Sequence, residues 1–209
     1  APPPTGTNPV ASAKAINAAI TSVTVPDDGK PVVEVRLTNE AGTPLGGLTA
    51  GSIRFVLARL EPGVNGSSST WHAVTRLTEA FPGSPAPTPA DRVTGTGPKN
   101  QATAERATAG TWTEGAAGNG VYTYKFAQSL KGVSDIPYDP NLTHRVGLEI
   151  RTSPGITPTN IPANNAVYTW IPATGFQLGE SESGREIVDN DTCNACHDNL
   201  AFHGGARFD

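Results

Sequence analysis

The chain has 209 residues, a net charge of −4 and only 16% charged residues. Gly 23 and Pro 19 together make up about a fifth of it, a composition that long helices do not tolerate and that argues against a helical bundle. No basic excess exists to neutralise phosphates, so nucleic acid is not an expected partner; the low charge and the apolar alternation described next also argue against disorder.

Residues 1–9 (APPPTGTNP) read as a stiff, extended tether. The chain opens without an initiator Met or a signal-like apolar run, which reads as a mature or trimmed exported chain. Residues 11–20 are Ala-rich and predict a short helix. The period then falls to two. Thr21, Val23 and Val25 alternate, Pro26-Asp27-Asp28-Gly29 supplies a turn, and Val33, Val35 and Leu37 alternate with Glu34, Arg36 and Thr38, as in a hairpin. Ile53, Phe55 and Leu57 predict a further strand, and residues 71–77 another. Residues 82–99 hold five prolines and three glycines and read as a long surface loop.

Strand signals resume at Thr111-Trp112-Thr113. Gly118-Asn119-Gly120 is a turn, and Tyr122, Tyr124 and Phe126 share a face. Val146, Leu148 and Ile150 alternate with Arg145, Gly147, Glu149 and Arg151, and residues 167–171 read as the last strand. Seven or eight short strands predict an all-β fold, an antiparallel β-sandwich or small split barrel, apolar on one side of each sheet and polar on the other. The longest uncharged stretch, 152–179, carries Pro154, Pro158, Pro162 and Pro172, so no transmembrane span is expected. The expected organisation is a tether over 1–9, a β-sandwich domain over 10–175 and a distinct segment over 176–209.

Both cysteines of the chain lie in that last segment, as Cys193-Asn194-Ala195-Cys196-His197. This is the attachment pattern of c-type haem. Thiols three residues apart on one helical turn can each add to a haem vinyl group, and the adjacent His197 then lies under the porphyrin as proximal iron ligand. Three other chemistries share the residue types. A structural disulfide would close a very small loop and stabilise little. A thioredoxin-like redox pair needs a βαβ context, which is missing here. A zinc site from Cys193, Cys196, His197 and His203 would lack the usual spacing between ligand pairs.

The stretch Cys193-Asn194-Ala195-Cys196-His197-Asp198-Asn199-Leu200-Ala201-Phe202-His203-Gly204-Gly205-Ala206-Arg207 resembles the first haem site of the outer-membrane multihaem c-type cytochromes of the OmcA/MtrC type, typically decahaem. Val25-Pro26-Asp27-Asp28-Gly29-Lys30-Pro31-Val32-Val33 and Thr143-His144-Arg145-Val146-Gly147 resemble the N-terminal β-domain of that family. The resemblance implies electron transfer at the outer surface of a Gram-negative bacterium. Its implied partners are further haem domains of the same protein and outer-membrane cytochromes, and its acceptors are metal oxides or flavins. The family's next haem motif would begin within a few residues of Asp209, so the chain is expected to be the N-terminal part of a longer cytochrome. Alternatives are a β-sandwich binding or docking module with a peripheral haem, and a haem enzyme with an open sixth iron position, for which no distal acid–base set is visible.

Absence of Met excludes Met/His ligation within the chain, leaving His72, His144 and His203 as candidates for a sixth ligand. On a continuing helix His203 lies about 9 Å along and on a different face from His197, better placed for a neighbouring haem, as the resemblance also implies. Arg207 has the fork geometry to pair with a haem propionate. His72 and His144 read as half-exposed strand histidines, and Trp71, Trp112 and Trp170 as core or sheet-face residues. Asp189-Asn190-Asp191 starts like a calcium loop but lacks the Gly and the distant Glu.

Overall fold

A computed structural model of the chain describes residues 10–79, 99–151, 161–179, 201–202 and 207–208. In chain order the strands are β1 (Asn17–Thr24), β2 (Val32–Thr38), β3 (Ile53–Glu61), β4 (Thr70–Ala73), β5 (Arg76–Glu79), β6 (Lys99–Ala102) and β7 (Glu105–Arg106). They continue as β8 (Thr111–Glu114), β9 (Val121–Lys125), β10 (His144–Ile150), β11 (Ala166–Ile171), β12 (Phe176–Leu178), β13 (Ala201–Phe202) and β14 (Arg207–Phe208). One sheet runs β1-β2-β9-β8. A six-stranded sheet runs β12-β11-β10-β3-β4, with β7 on the free half of β3. β5 pairs with β6, and β13 with β14, as separate ribbons. Every strand pairing is antiparallel.

The predicted hairpin forms as β1–β2. Gly29 closes its turn by donating to the Pro26 carbonyl at 2.8 Å with φ 71°, a conformation that glycine adopts without strain. The helix expected over residues 11–20 does not form. A single 3₁₀ turn occupies Val10–Ser12, and β1 begins at Asn17. The alternating Ile16, Ala18 and Ile20 are buried, and the β2 ladder outweighs the helix propensity of the alanines. The single strand expected over 71–77 is two. Val74 and Thr75 both donate to the Leu57 carbonyl and turn their buried side chains inward, which ends β4 and starts β5. Residues 167–171 are not the last strand, because a turn at 172–175 leads to β12 on the sheet edge. Lys99, placed in a loop from sequence, opens β6; residues 82–98 of that loop lie outside the described residues.

The two main sheets pack face to face. Val33, Val35, Leu37, Tyr122 and Tyr124 from one meet Ile53, Phe55, Leu57, Val146, Leu148 and Trp170 from the other, all essentially without solvent exposure. Phe55 stacks on Tyr124 across the interface, with ring centroids 4.5 Å apart and planes within 1°. Trp112 stacks on Tyr122 at 4.9 Å and donates its indole N–H to the Leu48 carbonyl at 2.9 Å. Both tyrosine hydroxyls are satisfied inside. Tyr122 donates to the Leu45 carbonyl, and Tyr124 donates to the Glu105 carboxylate.

One side of the sandwich is sewn shut. Ile16 forms a parallel bridge with Ala163, and the Asn164 amide copies a backbone ladder on Ala18. Its Oδ1 accepts from Ala18 N–H at 2.6 Å, and its Nδ2 donates to the Ala18 carbonyl at 3.1 Å. The outer face of the four-stranded sheet is polar as expected. The outer face of the six-stranded sheet is not: Val56 and Val167 flank Gly147 in register at its centre, and Phe176 lies on its edge strand.

Phe55→Ala is expected to destabilise the domain by about 3–5 kcal/mol, the usual cost of emptying a buried aromatic site. Asn164→Ala is expected to cost about 1–3 kcal/mol, because both Ala18 backbone groups lose their partner. Urea unfolding of each variant measures both, with the midpoint falling and the slope unchanged.

Candidate haem-attachment segment and the domain that precedes it

Cys193, Cys196, His197 and His203 lie outside the described residues, as does the Asp189-Asn190-Asp191 stretch. Of Arg207 the backbone alone is described, in β14 opposite Phe202. The β13–β14 pairing corrects one expectation. Ala201 and Phe202 are strand, so a helix continuing from the attachment motif to His203 is not the local geometry.

The β-domain settles which of its own histidines are available. His144 is fully buried, not half-exposed as its strand position suggested. It points inward from β10 in register with Arg59 on β3 and Trp170 on β11. Its ring lies 5.5 Å from Trp170 and edge-on to Tyr138 at 5.6 Å. Nδ1 lies 2.8 Å from the Leu142 carbonyl and therefore carries the proton. A second proton on Nε2 would have no acceptor among the described residues, where that atom has no partner. Burial pushes the imidazole well below its ordinary value, to about 4, with the nearby Arg59 guanidinium acting in the same direction. A ring so enclosed is withdrawn from iron ligation. His72, half-buried on β4 opposite Arg59, is the other histidine among the described residues and keeps some exposure.

Arg59 is itself buried and is held by the Pro137 carbonyl and the Glu61 carboxylate. Sequence reading missed it, because an arginine in a β3 otherwise apolar on its inner face signals nothing about where its fork goes. Trp170 is a core residue, and Trp112 packs against the core, as expected. Trp71 lies on the outer sheet face under the Arg145 guanidinium, 4.6 Å from its ring centroid. Glu105 was not singled out either. Its carboxylate accepts from Tyr124 O–H and from the Ala127 and Gln128 N–H groups, a structural role on the side of β9. Among the described residues no group of three or more His, Cys, Asp or Glu could hold a metal ion.

The donor chemistry of the C-terminal segment fits a covalent haem. It holds the only two thiols of the chain and an imidazole directly after the second, whereas the described part of the domain offers one half-exposed histidine and no thiol.

The OmcA-like N-terminal domain matches residues 17–177, from the first residue of β1 into β12. The chain belongs to this family. The match ends before Cys193, so it rests on the β-domain and is independent of the attachment motif. The chain is 31% identical over 187 residues to the multiheme cytochrome MtrC of Shewanella baltica (strain OS185), covering 87% of itself and 24% of that protein. Its fold matches the crystal structure of the outer membrane decaheme cytochrome OmcA with a TM-score of 0.74 and 26% identity, covering 96% of this chain and 29% of that one. The crystal structure of MtrC from Shewanella baltica OS185 matches with a TM-score of 0.63 and 28% identity, covering 91% and 27%. The chain spans about a quarter of the length of these relatives. No helix among the described residues is long and apolar enough to cross a membrane.

His144 makes stability pH-dependent. Its folded value of about 4 lies below the unfolded 6.5, so between these pH values the unfolded chain binds the extra proton. Stability is full above pH 6.5 and is expected to fall by up to about 3 kcal/mol as pH drops to 4. Denaturant midpoints measured across that range should show the slope, and His144→Phe should flatten it.

Proposed function

We propose that the chain is the N-terminal part of a multihaem outer-membrane c-type cytochrome and carries its first haem. The observation that carries this reading is the coincidence of two independent signals: an OmcA-like N-terminal fold over 17–177 and a Cys-x-x-Cys-His motif sixteen residues further on. Cys193 and Cys196 would form the two thioethers and His197 the proximal iron bond; the haem, once bound, supplies a one-electron couple. His203 would serve a neighbouring haem, and Arg207 would pair with a propionate carboxylate. The domain organisation that goes with this is a tether over 1–9, a β-domain over 10–175 to which β12 adds an edge, and a haem segment that continues into further haem domains.

Enclosure of His144 supports the assignment of redox chemistry to the C-terminal segment. The β-domain keeps the His144 ring neutral and out of reach, and its core tyrosines Tyr122 and Tyr124 donate to fixed acceptors. The named relatives are outer-membrane or multihaem cytochromes, which supports export to the outer-membrane surface and discharge to extracellular acceptors such as metal oxides or flavins.

The chain matured in a host with periplasmic haem attachment is expected to gain the mass of one haem that resists acid–acetone extraction. Cys193→Ala or Cys196→Ala should weaken attachment, and the double variant should abolish covalent haem. Zinc in place of haem in the purified chain would refute the reading.

A further inference from the structure

Arg59 on β3, His144 on β10 and Trp170 on β11 stand in register on the inner face of the six-stranded sheet, with His144 in the middle. Arg59 is 7% exposed and the other two not at all. Each leaves one buried polar atom without a partner among the described residues: Arg59 Nε, His144 Nε2 and Trp170 Nε1. The rest of each polar head is served. Arg59 gives its two terminal nitrogens to the Pro137 carbonyl and the Glu61 carboxylate, and His144 Nδ1 lies 2.8 Å from the Leu142 carbonyl. The other core-packed indole behaves differently, since Trp112 donates to the Leu48 carbonyl at 2.9 Å. A buried polar atom left unpaired is costly, so three of them on adjacent side chains call for a common partner.

A loop is stapled to this end of the row. Between Pro137 and Thr143 four carbonyls accept from the sheet: Pro137 from Arg59, Pro140 from the Ala173 N–H at 2.8 Å, Leu142 from His144, and Thr143 from the Leu60 N–H at 2.8 Å. Tyr138 of the same loop stands edge-on to the His144 ring at 5.6 Å. The donor set then selects the occupant. Arg59 Nε and Trp170 Nε1 each carry a hydrogen and can only donate. His144 carries its proton on Nδ1, so its Nε2 can only accept. Two donors and one acceptor fit a water molecule, which accepts twice and donates once. They do not fit an anion, which the Nε2 lone pair repels, or a metal cation, which the guanidinium repels. The scale also suits one water. The His144 and Trp170 ring centroids are 5.5 Å apart, about two hydrogen-bond lengths.

We propose that Arg59 Nε, His144 Nε2 and Trp170 Nε1 form a binding site for a single structural water, held by three hydrogen bonds inside the β-sandwich. Three is the usual number of bonds for a buried water. The water ties β3, β10 and β11 together beneath the Pro137–Thr143 loop. Arg59 and Trp170 occupy both of its lone pairs, so it has none left for a second proton on His144. The neutral ring and the bound water therefore stabilise one another.

Water-selective NMR on the isotope-labelled whole chain at neutral pH tests this, and it needs no haem, so it is independent of the cytochrome reading. The Trp170 indole hydrogen and the Arg59 Nε hydrogen should each show a cross-peak to water with the sign of a long-lived complex. The Trp112 indole, bonded to the Leu48 carbonyl, should show none of that sign. His144→Phe puts a larger apolar ring edge where Nε2 stood, and both cross-peaks should be lost. Their persistence in that variant overturns the three-point site. Should the variant not fold, the parent still decides, because the two indoles are compared within one molecule. A Trp170 indole with no long-lived water overturns the proposal. So does a scalar coupling from Trp170 Nε1 to His144 Nε2, which means that the two rings bond directly. Nitrogen shifts that put the His144 proton on Nε2 also overturn it, since three donors would give the site to an anion.

Discussion

The stack of Phe55 on Tyr124 fixes how the two sheets sit on one another. Two parallel aromatic rings with centroids 4.5 Å apart tolerate little sliding, and Phe126 closes on both from the side at 5.6 and 5.0 Å. The Tyr124 hydroxyl then needs a partner at a set place, because burial makes an unpaired hydroxyl costly. Glu105 provides it and at the same time caps the Ala127 and Gln128 N–H groups, so one carboxylate ties β7, β9 and the strand exit together. Burial and this carboxylate both push the phenol upward, which keeps it protonated and donating. The position of β3, and with β3 that of β10, β11 and β12, follows from this stack.

The same packing separates structural from chemical polarity. Arg59, His144 and Trp170 form one inward-facing row across β3, β10 and β11. Such a row costs desolvation and is held by specific carbonyls, those of Pro137 and Leu142. A neutral, enclosed imidazole neither binds iron nor exchanges protons at neutral pH. Among the described residues this leaves the half-buried His72 as the one imidazole with any exposure.

Much of the fold was legible in the residues because alternation is a direct record of a sheet with one buried side. Val33, Val35 and Leu37, Ile53, Phe55 and Leu57, and Val146, Leu148 and Ile150 each announce their strand, and each is buried. The failures have physical causes. Alanines before Ile20 suggested a helix, but local propensity is weaker than a hairpin ladder running from Asn17 to Thr24, even one whose register shifts between Ile20 and Ser22. His144 looked half-exposed because strand position says nothing about which face has a second layer over it. Asn164 carried no signal at all: a side-chain amide that imitates a backbone ladder is visible only once Ala18 stands opposite it. The Cys-x-x-Cys-His pattern stands out in the sequence because haem attachment would fix residue type and spacing together, and its residues lie outside the described ones.

The outer face of the six-stranded sheet shows why a period-two pattern can mislead. Val56, Gly147 and Val167 occupy positions that alternation assigns to water, and a sheet wet on that side would gain by carrying Thr or Lys there. Glycine in mid-strand weakens the sheet and adds no packing of its own. Its use at the centre of β10, between two exposed valines, makes sense where another surface approaches closely. β12 adds to this: a three-residue edge strand contributes little stability, yet it fixes where the chain departs and in which direction.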